Sequence, residues 1–310
     1  MTGSRDEGIP PRGNAERADT SWLAARFEDH RSHLRSVAYR ILGSMAEAED
    51  AVQDAWLRVS RANASEVDNL GGWLTTIVAR LALDRLRSRA SRREQTVGVR
   101  LPDPIVTPLD GHDPGREAEL ADSVGLAMLV VLETLTPAER LAFVLHDTFG
   151  LPFDEIGRII ERTPVAARQL ASRARRRVRD AADPRPVPAD RQRELVRAFL
   201  AAARDGDFEA LLHILDPAVV VRSDTLRARD AAGSGIVRGA EAAARQAISF
   251  RRLAPGAIEA LVNGSPGFVV MANGRPYAVL GFGFRADVIA AIDVVLAPER
   301  LAALDLSGVV

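Results

Sequence analysis

The chain contains no cysteine and no lysine. The lack of cysteine excludes disulfide bonds and cysteine-ligated zinc, and a cytoplasmic protein is expected. No apolar run reaches the ~18 residues that a membrane-spanning helix needs, so no such span is expected. Residues 1–20 are polar and lack the apolar core of a signal peptide, which predicts a disordered tail. All 41 basic residues are arginine, which we ascribe to GC-rich coding rather than to adaptation.

The positive charge of the chain is concentrated in two places. A length of 310 residues predicts two or three domains. The formal net charge is −1 and favours no particular partner. Unopposed arginines occur at 85–93 and at 162–179; the second range has seven arginines and no acidic residue. Any contact with an anionic partner is therefore expected to be local.

The clearest local pattern covers residues 136–180 and predicts three helices with two breaks. Thr136 and Glu139 have the spacing of a capping box at the start of the first helix. The sequence Phe-Gly-Leu-Pro at 149–152 and the Thr-Pro pair at 163–164 mark the breaks. A short helix, a tight turn and a polar second helix form the layout of a helix-turn-helix, which places its second helix in the major groove.

The third of these helices, residues 164–180, is polar and basic outside a narrow apolar stripe. Arginine forks match guanine edges and phosphates, which favours DNA as the partner. The alternative is a solvated amphipathic helix in an ordinary bundle. The candidate DNA-binding side chains are Arg168, Gln169, Ser172, Arg173 and Arg176.

Residues 22–94 predict helices throughout. Ser44 and Glu47 form a second predicted capping box, which starts a helix with an acidic face. After a polar loop, residues 71–94 form a helix that becomes increasingly basic towards its end. The polar face of the acidic helix suits a protein partner, and the alternative is a solvated surface.

The acidic helix DAVQDAWLRV, then WLTTIVARLALDRLRSRASRRE, then the helix-turn-helix resemble a bacterial sigma factor of the extracytoplasmic-function group. This group keeps two sigma domains, and the resemblance covers residues 22–182. Most of the group has Asn where this chain has Arg80. The form WLTTIVAR is instead similar to the subgroup with a SnoaL-like, NTF2-like C-terminal domain (the sigma-J type).

The resemblance implies a factor that binds RNA polymerase core and directs it to promoters, without catalysis, cofactor or metal. The 164–180 helix would read the duplex −35 element, and its domain would meet the β flap. Arginine side chains bind backbone phosphates, and polar side chains in a loop can read unpaired bases. The candidates for binding the melted −10 strand are therefore Asn63, Asn69, Arg80 and Arg87. The residues implied to bind the β′ clamp helices are Asp50, Gln53, Asp54 and Trp56.

The segment 95–115 contains four prolines and three glycines and is expected to be extended. Residues 100–104, Arg-Leu-Pro-Asp-Pro, resemble the Trp-Leu-Pro-Glu-Pro motif of the subgroup, with Arg for Trp and Asp for Glu. Residues 297–301, Ala-Pro-Glu-Arg-Leu, resemble its Asn-Pro-Asp-Lys-Leu ending. The resemblance implies regulatory contacts by Leu101, Pro102, Asp103, Pro104, Pro298, Glu299 and Leu301. The alternative is that the prolines only stiffen a spacer.

After a second proline-rich break, the C-terminal part predicts two helices followed by short strands. The helices are expected at 190–204 and 207–215. The predicted strand runs are 218–223, 268–272, 277–284 and 288–296, each short and bounded by turn residues. This order predicts an α+β domain with a curved sheet on helices. The sequence VNGSPGFVVMANGRPYAVLGF is similar to part of the sequence of the cone-shaped NTF2-like domain in the same subgroup.

The expected organisation is multidomain, with two all-α sigma domains (a helical bundle and a helix-turn-helix) and an α+β NTF2-like domain. In chain order it comprises a tail (1–20), sigma domain 2 (21–94), a linker (95–115), sigma domain 4 (116–182), a second linker (183–189) and a regulatory domain that acts in cis (190–310).

Two other functions remain open at this stage. One is a conventional helix-turn-helix regulator with a ligand-sensing NTF2-like domain. The other is an isomerase or cyclase on that fold, which would need a buried base. The candidate acid and base residues are His213, Asp224, Asp230, Tyr277, Asp287 and Asp293.

Overall fold

The computed structural model describes residues 12–61, 67–92, 101–109, 126–181, 187–224 and 235–310. The first helical unit consists of α1 (Arg12–Leu42), α2 (Met45–Val59) and α3 (Leu70–Arg92). Because α1 begins at Arg12, residues 12–20 are helical rather than part of a disordered tail; helices lengthen cooperatively once started. Residues 1–11 and Asn63 lie outside the described residues.

The predicted three-helix pattern at 136–180 is confirmed. The helices of this second unit are α4 (Leu126–Leu132), α5 (Pro137–Phe143) continued by a π-helical turn (Val144–Thr148), α6 (Phe153–Ile160) and α7 (Pro164–Ala181). The predicted capping box is present: the Glu139 N–H donates to Thr136 Oγ1, and the Thr136 N–H donates to Glu139 Oε2. Helix α4 was not predicted.

One continuous apolar core joins the two helical units. Buried side chains of α1 to α3, such as Leu34 and Val78, belong to the same cluster as Leu141 and Ile156 of α5 and α6. Each helix contributes its apolar face, as the helical period predicts. The two helical units are therefore packed against each other.

The third unit is the predicted α+β domain. Its elements are α8 (Ala189–Asp205), α9 (Phe208–Ile214), β2 (Leu215–Ser223), β3 (Ile236–Arg238), α10 (Ala240–Ser249), a 3₁₀ turn (Arg251–Gly256), β4 (Ala257–Val262), β5 (Ser265–Ala272), β6 (Arg275–Arg285), β7 (Val288–Val295) and α11 (Pro298–Ala302). The two predicted helices and four predicted strand runs correspond to α8, α9, β2, β5, β6 and β7. Sequence reasoning missed α10, α11, β3 and β4.

Among the described residues the sheet has seven strands, with β1 (Val106–Pro108) at one edge, in the order β1-β4-β5-β6-β7-β2-β3. The edge strand β1 comes from the linker and pairs antiparallel with β4, with Val106 opposite Val262. The β4–β5 hairpin turns through Asn263 and Gly264, at φ 52° and 75°. Asn-Gly tolerates these left-handed angles and suits two-residue hairpins. The described part of the linker, residues 101–109, is thus docked on the sheet rather than acting only as a spacer, and its strand β1 is extended, as predicted for this segment.

The two faces of the sheet pack against different parts of the chain. Phe268 and Val270 face α8 and α10. Val269, between them, belongs to a cluster with Leu101 and Val106 of the linker, against which Val130 of α4 also packs. Alternate strand residues therefore serve two interfaces, one within the domain and one with the rest of the chain. Among the described residues, no helix is long and apolar enough to cross a membrane.

Candidate promoter and polymerase surfaces and the linker junction

The five candidate DNA-binding residues of α7 lie on one side of the helix. Arg168, Gln169, Arg173 and Arg176 are exposed and Ser172 is half-buried. The opposite stripe is buried and consists of Ala167, Ala171, Ala174 and Val178. Spacings of one, four, five and eight residues explain the shared face. The basic side of α7 is therefore open in this arrangement.

Other arginines of α7 hold the helix-turn-helix together. Arg175 pairs with Asp147, with 2.8 Å between Nε and Oδ1. Arg177 pairs with Glu139 of the capping box at 3.2 Å. The guanidinium of Arg168 lies over the ring of Phe153 on α6, 5.4 Å from its centroid, an arrangement that favours a cation electrostatically. Arg175 and Arg177 thus have structural partners, and Arg168 is oriented by α6.

The described −10 candidates share one side of α3. Asn69, Arg80 and Arg87 are separated by eleven and seven residues, which are nearly whole numbers of helical turns. All three are exposed. Asn69 caps the helix by accepting a hydrogen bond from the Gly72 N–H at 2.9 Å. Arg80 donates to the main-chain oxygen of Arg158 on α6 at 3.4 Å. The helix-turn-helix therefore contacts this side of α3.

The acidic face of α2 is partly neutralised by one arginine. Arg85 pairs with Asp50 at 3.5 Å and with Asp54 at 2.6 Å. Gln53 is exposed, whereas Trp56 is half-buried and its ring packs on Phe27, with 5.1 Å between centroids. Trp56 thus belongs to the edge of the core.

Sequence reasoning missed Leu57, which is 48% exposed. It lies three and four residues after Asp54 and Gln53, so it shares their face. Partner-binding surfaces combine an apolar centre with a polar rim. The i, i+3, i+4, i+7 spacing of residues 50, 53, 54 and 57 was the signal that could have identified it.

The contact between the helical units is built around Phe149 and Arg140. The Phe149 ring meets His33 edge-on, with 5.3 Å between ring centroids, and lies 5.0 Å from the Arg40 guanidinium. Arg140 is buried, pairs with Glu133 and donates to the main-chain oxygen of Arg40. A buried arginine is tolerated only with such partners. We call this packed state the closed arrangement.

Arg300 of α11 joins the linker to the C-terminal domain. Its Nε and Nη2 donate to Oδ1 of Asp103 at 3.0 and 2.7 Å. Its Nη2 also donates to the main-chain oxygens of Leu101 and Pro102, each at 2.9 Å. Its Nη1 donates to Asp224 at 2.7 Å. Such charge-assisted bonds are the strong ones among hydrogen bonds.

Asp224 is itself fixed by the start of α11. Its Oδ1 accepts hydrogen bonds from the Leu296 and Ala297 N–H groups at 2.8 and 3.2 Å. The carboxylate therefore orients Arg300 and closes the turn before the helix. These hydrogen bonds give Asp224 a structural role.

Tyr39 and Asn263 join the same linker to α1 and to the sheet. The Tyr39 hydroxyl donates to the main-chain oxygen of Asp103 at 2.6 Å and accepts from Asn263 Nδ2 at 2.9 Å. Asn263 also bonds both sides of Ile105: its N–H donates to the Ile105 oxygen at 2.7 Å, and its Oδ1 accepts from the Ile105 N–H at 3.1 Å. Burial raises the pKa of the Tyr39 phenol above its ordinary value.

Gly43, at the end of α1, lies where the two helical units meet the linker. Its main-chain oxygen accepts from the Asp103 N–H at 2.8 Å. A Cβ at this position would lie 3.0 Å from Glu133 Oε1, 3.1 Å from Arg140 Nη2 and 3.5 Å from Pro102 Cβ. Its φ of 70° is a second reason for glycine. We call the contacts of Tyr39, Gly43, residues 101–105, Asn263 and Arg300 the linker junction.

The structure brings most of the candidate regulatory residues into this junction. Leu101, Pro102, Pro104 and Leu301 are buried, and Asp103 is half-buried. Pro298 and Glu299 are exposed. Their neighbour Arg300 makes the polar contacts, and sequence reasoning did not choose it. Tyr39 and Asn263 were missed as well, because nothing local marks a contact between residues 224 positions apart.

The candidate acid and base residues of the C-terminal domain are dispersed. Asp293 is buried and forms a two-bond ion pair with Arg222, at 2.6 and 3.0 Å; burial raises the pKa of Asp293, and the arginine opposes the shift. His213 is exposed, with a ring nitrogen at the Glu209 main-chain oxygen. Tyr277 lines the internal cavity of the domain. Asp287 lies in the β6–β7 turn, and Asp230 lies outside the described residues.

Comparison with known proteins places these surfaces in a family. The model for Sigma-70 region 2 matches residues 26–92, and that for Sigma-70 region 4 matches residues 126–178. The ECF RNA polymerase sigma factor SigJ of Mycobacterium tuberculosis is 41% identical over 278 residues, which cover 87% of each chain. The chain belongs to the ECF RNA polymerase sigma factors.

Further relatives agree with this membership. A probable ECF sigma factor SigI of M. tuberculosis is 33% identical over 284 residues, covering 90% of this sigma factor and 94% of SigI. The crystal structure of M. tuberculosis SigJ superposes with a TM-score of 0.73 at 34% identity, covering 92% of this chain and all of SigJ. The predicted fold class is confirmed. The sigma factor binds RNA polymerase core and promoter DNA, which decides against a conventional regulator.

Proposed function

We propose that this sigma factor alternates between the closed arrangement and an open, promoter-binding one, and that its C-terminal domain sets the balance in cis. The observation that carries the proposal is the linker junction. The segment between the two promoter-reading units is bonded at once to α1, to the sheet edge and to Arg300. We place its work in the cytoplasm, where RNA polymerase transcribes.

Three surfaces receive roles in this proposal. The side of α3 with Asn69, Arg80 and Arg87 binds the melted −10 strand, because exposed arginine and asparagine suit phosphates and unpaired bases. The basic side of α7 reads the −35 element in the major groove. The α2 face docks on the polymerase clamp, with Leu57 as its apolar centre. Exposure of these side chains supports each assignment.

The closed arrangement cannot serve both promoter elements. Arg80 donates a hydrogen bond to Arg158 of α6, and the guanidinium of Arg168 on α7 lies over Phe153, which also belongs to α6. That helix has eight residues, so it is about 12 Å long. The −10 and −35 elements are about 25 base pairs apart, which is about 85 Å along the duplex. The helical units must therefore separate before both elements are bound.

The C-terminal domain favours the closed arrangement. It holds the linker through Arg300, Asn263 and the β1–β4 pairing, and it packs on α4 through Val130. Each hydrogen bond to a charged group contributes about 1.5–3 kcal/mol. Contacts present in only one of two states shift the equilibrium towards that state.

Truncation after Arg185 tests the regulatory part of the proposal. Without its C-terminal partners the linker loses the contacts of Asn263 and Arg300, so the open arrangement is more populated. We expect several-fold more transcript per mole of sigma factor in a reconstituted assay with limiting core enzyme and a promoter library. Core binding measured in parallel corrects for misfolding. Equal transcription by truncated and full-length protein at equal core binding would contradict regulation in cis.

The assignment of α7 to the −35 element predicts a base-specific effect of Arg173. Replacing Arg173 by Ala should weaken holoenzyme binding to the −35 element by about 1–3 kcal/mol if the side chain makes a bidentate base contact. Arg175→Ala is the matched control, because Arg175 is on the same helix but is paired with Asp147. Gel-shift titrations on promoters varied at −35 provide the measurement. Equal losses for both variants, with unchanged −35 preference, would show that Arg173 is not a reading residue.

A further inference from the structure

Helix α7 carries an exposed apolar residue, Val165, in its first turn. Val165 is 65% exposed, which is the highest value among the large apolar residues that the structure describes. Single exposed apolar side chains are common on protein surfaces, so exposure alone indicates nothing. The informative observation is the position of Val165 on the helix.

Val165 lies on the side of α7 that carries the candidate DNA-binding residues. It precedes Arg168 by three residues, Gln169 by four and Ser172 by seven, and these spacings place side chains on one helical face. Ala167, the first residue of the buried stripe, follows it by two residues, which is about 200° around the helix. The isopropyl group of Val165 therefore points away from the core and lies among the candidate DNA-binding side chains.

The first turn of α7 is held in place next to α6. The Ala166 N–H donates to Thr163 Oγ1 at 3.2 Å, which caps the helix. A Cβ on Gly157 of α6 would lie 2.8 Å from the main-chain oxygen of Arg162, so the turn between the two helices packs closely on a glycine. Valine in a helix strongly prefers one rotamer. The two methyl groups of Val165 are therefore presented in one orientation, and covering them costs little side-chain entropy.

We propose that Val165 is a specificity-determining residue that contacts the C5-methyl group of one thymine in the −35 element. In a helix-turn-helix, the N-terminal residues of the second helix contact base edges in the major groove, where thymine presents a methyl group. The side chain of Val165 has no polar atom, so it recognises a base by apolar contact. Its neighbours Arg168 and Gln169 can form hydrogen bonds with purine edges. The inference rests on the proposed function, in which α7 reads the −35 element.

Replacing thymine by uracil tests this contact, because uracil pairs as thymine does and lacks only the methyl group. Holoenzyme is titrated with duplex promoter fragments, taken from the transcribed members of the promoter library, in which each −35 thymine is replaced in turn by deoxyuridine. We expect the replacement at one position to weaken binding about fourfold, which corresponds to one buried methyl group. Replacements at the other positions should have smaller effects.

Val165→Ala should remove this discrimination. The variant should bind the thymine duplex about fourfold more weakly than the unmodified protein does, and the ratio of its affinities for thymine and uracil at that position should fall to about one. Because Val165 is exposed and alanine favours helix, the variant is expected to fold. Val310→Ala is the matched control, since Val310 is 58% exposed but belongs to the C-terminal domain. It should keep the fourfold ratio.

The double variant Arg168→Ala/Arg173→Ala separates this inference from the proposed function. If the double variant keeps the −35 preference of the unmodified protein, α7 does not read the element and the proposed function fails together with the inference. If the double variant loses that preference while Val165→Ala keeps the fourfold ratio, the Val165 contact alone is wrong. The contact is also wrong if no −35 thymine methyl group affects binding of the unmodified protein.

Discussion

Cross-linking α1 to the start of the helix-turn-helix is expected to abolish promoter-dependent transcription. The chain has no cysteine, so His33→Cys and Phe149→Cys introduce the only two thiols, at side chains whose rings are in contact. A short bismaleimide then joins the helical units permanently. Since the −10 and −35 elements lie about 85 Å apart, the joined protein cannot reach both. Residual transcription should equal the fraction that remains un-cross-linked on a denaturing gel.

Two controls isolate the effect of the cross-link. The double variant without reagent should remain active, since loss of the Phe149 contacts only weakens the closed arrangement. The single His33→Cys variant treated with the reagent should also remain active. Excess reagent is quenched before core enzyme is added, because polymerase thiols would otherwise react. Full activity of the cross-linked protein would show that the two units need not separate.

Arg300→Leu is expected to release the linker from the C-terminal domain. The substitution removes the bonds to Asp103, Leu101, Pro102 and Asp224 and leaves two carboxylates without this partner. The Arg300 side chain is 22% exposed, so water compensates part of the lost hydrogen bonding. We expect the docking of the linker on the C-terminal domain to lose about 2–4 kcal/mol of free energy. The amides of Asp103 and Ile105 should exchange hydrogen at least about tenfold faster.

Arg285→Leu provides the matched control for this variant. Arg285 is exposed at the end of β6, away from the junction, and its loss should leave the exchange of both amides unchanged. Hydrogen–deuterium exchange resolved over residues 101–109 gives the measurement. If Arg300→Leu leaves these amides as protected as before, the β1–β4 pairing and Asn263 alone hold the linker, and Arg300 is not the residue that couples the domains.

Local signals were sufficient to predict the promoter-reading helices. The capping box of Thr136 and Glu139 and the two breaks within 149–164 each depend on neighbours within four residues, and helices obey such short-range rules. The same reasoning missed α10, whose apolar side is mostly alanine and gives little contrast. It also missed β4, because a short and mostly apolar run of six residues, AIEALV, does not distinguish strand from helix.

The linker junction could not be predicted from local patterns. Asp103 looked like a departure from a motif with glutamate, and Arg300 a departure from lysine. In the structure the shorter carboxylate is met by the longer, forked arginine, which bonds it through two nitrogens. Tyr39 carries no local signal that sets it apart within α1. Its role depends on Asn263, which only the folded chain brings near.

The docking of β1 on the edge of β4 makes the linker an intramolecular ligand. It is tethered on both sides, so it meets the vacant edge at an effective concentration of about millimolar. A separate peptide strand would have to exceed that value to keep the edge occupied. Under the proposed function, the linker is expected to return to the sheet unaided once polymerase and promoter are released, so each round of initiation would end with the sigma factor back in the closed arrangement.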